Sequence, residues 1–139
     1  MSTTYKIMAN ANAVGFFEGA LTKRLKPGSA VRAGMLVSFD NDEQFVVPCS
    51  EKGIPFGIAL RDTTASDDRT YVSVQPLSNN GQTARILVAD AVKAGELISF
   101  SKDGFAKKSD GNNIIGLALS SGGKDDRIEA LTSLPHNLK

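Results

Sequence analysis

The chain contains no tryptophan, two tyrosines, one histidine and one cysteine, and aromatic residues make up 6% of its 139 positions. Each shortage removes a class of function. A lone cysteine, Cys49, excludes an internal disulfide, and with His136 as the only imidazole there are too few soft ligands for a cysteine–histidine zinc site. A histidine-dependent triad has that same single candidate. His136 lies near the C-terminus and reads as a solvated tail residue, while Cys49, without a histidine beside it in sequence, reads as a small buried hydrophobe. No apolar run approaches the length of about eighteen residues that a membrane helix needs, and the start carries no basic region followed by an apolar stretch. The expectation is a soluble protein made in the cytoplasm. Sixteen Lys and Arg against fifteen Asp and Glu leave a net charge of +1, too small a field to hold the chain on nucleic acid or a membrane surface. Scarce aromatics also argue against stacking platforms for bases or sugars.

Other chemistry is thin. The acidic pairs Asp67-Asp68 and Asp125-Asp126 are each followed by an arginine that competes with a cation, so they read as turn residues and not metal ligands. The stretch Ser120-Ser-Gly-Gly-Lys124 has the wrong spacing for a phosphate loop and no helix is expected after it. No catalytic residue, metal site or cofactor site is assigned.

What is present is organised. Residues 1–34 carry +4 and the remainder −3, and the first thirty residues differ in texture, with Ala9-Asn-Ala-Asn-Ala-Val-Gly15, then Phe16-Phe17, then Lys23-Arg24-Leu-Lys26-Pro27-Gly28. We read 1–30 as an N-terminal arm and 31–139 as the domain. From Val31 onward, short runs of Val, Ile, Leu and Phe are broken every eight to twelve residues by Gly, Asp, Asn or Pro, the spacing of short antiparallel strands. Strands are expected at 35–39, 45–48, 56–60, 71–75, 83–89, 96–100, 114–119 and 127–131.

Half of this pattern repeats. Val31-Arg-Ala-Gly-Met-Leu-Val-Ser-Phe39 returns as Val92-Lys-Ala-Gly-Glu-Leu-Ile-Ser-Phe100, identical at six of nine positions. Gly57-Ile-Ala-Leu60 returns as Gly116-Leu-Ala-Leu119, and Asp67-Asp-Arg69 as Asp125-Asp-Arg127, in the same order. The half-repeats span about 31–77 and 92–132. Alternation places Val37 and Phe39 on one strand face, matched by Ile98 and Phe100, and all four are expected in the core. In Phe56-Gly-Ile-Ala-Leu60 and its copy, large residues alternate with Gly and Ala, giving one apolar face and one that admits close backbone approach. Two such units packed together give an all-β fold, a small β-barrel or tulip-like domain with an internal duplication, preceded by an extended arm.

The string Val31-x-Ala-Gly34, the strand after it, Gly53-Ile-Pro-Phe-Gly-Ile-Ala-Leu60 and Tyr71-Val-Ser-Val74, with their second-half counterparts Val92-Lys-Ala-Gly95, Asp103-Gly104 and Ile115-Gly-Leu-Ala-Leu119, resembles the capsid decoration, or cement, proteins of tailed bacteriophages. The resemblance covers roughly residues 28–132. It implies a non-enzymatic virion protein on the capsid exterior, with the major capsid protein and sister copies as partners, as a homotrimer, and with no nucleic acid or membrane bound. Capsid attachment in that family often uses an N-terminal segment. Tyr5, Ile7, Phe16 and Phe17 are therefore candidate apolar contacts, and Lys23, Arg24 and Lys26 candidate contacts to acidic surface. Two alternatives remain open: residues 5–25 form a further strand or helix on the chain's own barrel, or the domain is another virion part from a tail, fibre or host-recognition module.

Overall fold

The computed structural model describes residues 20–41, 44–78 and 83–137. It is almost wholly β. The first unit contains β1 (Leu21–Leu25), β2 (Ala30–Val31), β3 (Leu36–Phe39), β4 (Phe45–Pro48), β5 (Gly57–Ala59), β6 (Thr63–Thr64) and β7 (Tyr71–Pro76). Five of these close a barrel in the order β1-β4-β3-β5-β7, with β1 parallel to β4 and antiparallel to β7. The second unit contains β8 (Thr83–Leu87), β9 (Leu97–Phe100), β10 (Ala106–Lys108), β11 (Ile114–Ala118) and β12 (Arg127–His136), in the order β10-β9-β11-β12-β8.

The second unit repeats the first in strand order and in many of its backbone bonds. Gly34 N–H donates to Ala59 O and Ala59 N–H to Met35 O, each at 2.8 Å; Gly95 to Ala118 and Ala118 to Glu96 do the same at 2.8 Å. Gly34 and Gly95 both sit at positive φ, 97° and 93°, a conformation that a side chain would strain, which is why Ala-Gly precedes each strand. Where β2 pairs Val31 with Thr63, an isolated bridge pairs Val92 with Gly122. The parallel β1–β4 contact that closes the first barrel, marked by Lys26 N–H to Val46 O at 3.1 Å, reappears as the parallel bridge Val88–Ala106, with Ala89 N–H to Ala106 O at 2.8 Å. Thus β1 corresponds to β8, β3 to β9, β4 to β10, β5 to β11 and β7 to β12.

Two cores result. Leu25, Val31, Val37, Val46, Ala59, Val72 and Val74 fill the first barrel. The second joins the interior of the second unit, including Ile98, Ala118, Ile128 and Ala130, to Leu36, Ile58, Cys49 and Leu77 from the outer wall of the first. The segment Gly57–Ala59 is buried on both faces because it separates these cores, so the expected division into an apolar face and a small-residue face gives way to Ile58 in one core and Ala59 in the other.

All eight expected strands are present. Four others are not in the sequence reading. Strands β2 and β6 have two residues each, β10 is short and lysine-bearing as exposed edges often are, and in β1 the pair Lys23-Arg24 hides the alternation. Strand β1 lies in the stretch read as an arm, so residues 21–25 follow the alternative of packing on the chain's own barrel. His136 is a second correction. It ends β12, opposite Ile114, and is exposed there as a strand residue and not a tail residue. A third is Phe39, expected in the core with Val37, Ile98 and Phe100. It is 49% exposed, whereas Phe100 is 6% exposed. Phe39 points to the barrel interior side like Val37, but it is the last residue of β3 and emerges at the barrel's rim, where Phe56 stacks on one face of its ring and about half of the side chain stays exposed.

Candidate interaction surfaces

The basic residues of β1 and the turn after it do not converge. Leu25 points into the barrel, so alternation turns Lys23 the same way and Arg24 outward. Arg24 is in register with Tyr71 on one side and Phe45 on the other. Lys26 makes an ion pair with Asp40 at 2.9 Å, which spends much of its charge locally. The Lys23 ammonium lies 5.8 Å from the centre of the Phe39 ring. Tyr5, Ile7, Phe16 and Phe17 lie outside the described residues.

One end of the first barrel is built from Leu21, Lys23, Phe39 and Phe56. The Phe39 and Phe56 rings stack with centroids 4.6 Å apart and planes 12° from parallel, an arrangement worth about 1 kcal/mol beyond burial. Lys23 over the outer ring adds a cation–π contact of about 0.5–1 kcal/mol. Phe39 and Leu21, 49% and 41% exposed, still present apolar surface to solvent at this mouth.

A second apolar surface covers the outer wall of the second unit. The register places Leu97, Leu117 and Leu131 side by side across β9, β11 and β12. Leu97 and Leu131 are 37% and 41% exposed, and Leu119, on the same face two residues after Leu117, is also exposed. Sequence alternation carries the signal for this row: Leu97 must oppose the buried Ile98. What it could not show is that no described residue covers the row.

A cleft of about 420 Å³ lies where the two units meet, lined by Leu60, Gln75, Thr83, Arg85, Arg127 and Glu129, among others. Most of its polar groups hold one another. Arg127 Nε donates to Ala33 O at 2.7 Å, Thr83 Oγ1 donates to Glu129 Oε2 at 3.0 Å, and Gln75 Nε2 donates to Thr83 O at 3.2 Å. The first and third of these cross between the units and help fix their relative orientation, while the second ties β8 to β12 within the second unit. They leave no convergent nucleophile and base.

Reactive side chains are equally committed. Cys49 is fully buried, and burial pushes its thiol from an ordinary value of 9.0 up to about 11, against a smaller lowering by the Ser38 hydroxyl. A thiol held neutral is a poor nucleophile. Maleimide labelling of the native chain is therefore expected to be slow at pH 7.5 and complete in denaturant over the same time; fast native labelling would contradict it. The native state also keeps this proton more tightly than the unfolded chain, so its contribution to stability is full below pH 9 and is lost as pH rises toward 11. Cys49→Ala is expected to remove that slope from urea melts. Among the described residues, no three His, Cys, Asp or Glu side chains come together as a metal site.

No family model matches the chain, and no curated protein matches it. Among solved structures, it is similar to the N base of the head fiber protein gp8.5 of bacteriophage phi29, with a TM-score of 0.66 and 20% identity, covering 86% of this chain and 98% of that one. At that identity the likeness establishes a shared fold, extending over both units of the duplication.

Proposed function

We propose that this chain is a non-enzymatic structural part of a phage virion, seated on the outside of the head, where copies associated as a homotrimer bridge neighbouring major capsid subunits. The observation that carries the reading is the fold shared with the base of a phage head fiber. Two exposed apolar surfaces on a domain whose cleft groups are mutually satisfied suit gripping better than turnover. A protein that binds the assembled lattice better than dispersed subunits stabilises the lattice by mass action, and several modest contacts made in parallel slow release.

The same likeness favours a second reading, in which the domain is the base on which a fibre stands. The two differ in consequence. A cement is expected to co-sediment with heads assembled without it and to raise the temperature at which they rupture. A fibre base is expected to co-sediment and leave that temperature unchanged. Failure to co-sediment excludes both.

A further inference from the structure

The duplication yields an internal contact that the described residues make once and leave open at both ends. The outer wall of the first unit, Leu36 and Ile58, packs in one core with Ile86, Phe100 and Ile115 at the rim of the second unit, and all five are buried. Backbone bonds reinforce the contact, with Leu87 N–H donating to Gly34 O at 3.0 Å and Gly104 N–H to Cys49 O at 2.8 Å. Among the described residues, the corresponding positions elsewhere have no such cover. The rim of the first unit places Lys23, Phe39 and Phe56 where the second has Ile86, Phe100 and Ile115, and Phe39 is 49% exposed. The wall of the second unit places Leu97 and Leu117 where the first has Leu36 and Ile58, and Leu97 is 37% exposed. A wall and a mouth of the kind that fit inside one chain are thus left uncovered by the described residues.

We infer that a second copy of this chain occupies them, the Leu97–Leu117–Leu131 wall of one molecule covering the Phe39–Phe56 mouth of the next. The docking repeats the contact already made between the two units. The mouth has Lys23 in place of the buried Ile86, and the exposed Glu129, bonded to Thr83, lies on the Leu131 face of β12 where β7 has the half-buried Ser73. Such an interface is heterologous. It joins unlike surfaces, so copies add head to tail, closing into a ring or running on. It supplies a contact for the self-association proposed above, but it is argued from the duplication and does not require a phage head.

The test uses the full chain in sedimentation velocity, from micromolar to about 1 mM, where even a weak contact is populated. Wild type is expected to sediment as an oligomer. A wall variant, Leu97→Asp, and a mouth variant, Lys23→Glu, are each expected to sediment as monomers with unchanged circular dichroism; Leu131→Asp and Phe39→Ser stand behind them should either fail to fold. The decisive measurement mixes the two. Each retains the surface the other has lost, so an equimolar mixture is expected to form a dimer and nothing larger. A monomeric wild type at the highest concentration, an oligomer that neither variant dissolves, or two monomeric variants that do not recombine would overturn the inference. Any of these results leaves the head-binding experiment free to succeed by itself, and failure on heads leaves this one intact.

Discussion

Gly116→Ala is expected to cost on the order of 3 kcal/mol and to lower the melting temperature by about 10 °C. Gly116 sits in β11 between β9 and β12, at a register irregularity that runs through both pairings. A Cβ there would lie 2.0 Å from Leu131 O and 3.1 Å from Leu131 C. Both are backbone atoms, so no rotamer change relieves the clash, and β12 must move away from β11. The central strand of the second unit then loses ladder bonds as well as packing. The control is Gly95→Ala, where a positive φ of 93° strains any side chain but nothing lies within 4 Å of the new carbon, so roughly 1–2 kcal/mol is expected. Urea melts of the two variants separate steric from conformational cost. A Gly116→Ala protein within 1 kcal/mol of wild type would show that β12, a ten-residue strand paired on both sides, yields more easily than its position implies.

Leu36→Ala is expected to cost about 3 kcal/mol, and Leu97→Ala less than about 1 kcal/mol when measured on dilute monomer. The two leucines occupy the same position of the repeated nonapeptide, each after Ala-Gly plus one residue and before Val-Ser-Phe or Ile-Ser-Phe. Their environments differ completely. Leu36 is 0% exposed in the core shared by the two units, and its truncation leaves a cavity that neighbours on both sides can only partly fill. Leu97 is 37% exposed on a face that no other described residue covers. Equal losses from the two truncations, by chemical denaturation at micromolar protein, would mean that the outer wall is buried within one chain after all. A Leu97→Ala loss that grows with protein concentration would instead report the head-to-tail contact, because the leucine is then buried only in the assembly.

The two truncations also mark how far the residues could be read in advance. The all-β class, the eight main strands and the duplication follow from spacing: alternating Val, Ile, Leu and Phe, breaks at Gly and Asp, and a nonapeptide met twice. These are local or repeated signals and survive without knowledge of packing. Strand β1 escaped because Lys23 and Arg24 look like a solvated run, although Leu25 anchors the strand in the barrel and the Lys23 ammonium rests over an aromatic ring. The basic residues likewise looked like one cluster in sequence, yet strand alternation and the Lys26–Asp40 pair send them three ways.

By itself, then, the sequence determined that this protein is built from two copies of one β unit. Only the tertiary structure decided which copy is covered. Phe39 and Phe100, like Leu36 and Leu97, have nearly the same neighbours along the chain and opposite exposure across it. A tandem of two like units has one internal junction, so among the described residues one wall and one mouth are used and one of each is left over. That asymmetry belongs to how the units stack, and local residue patterns cannot encode it.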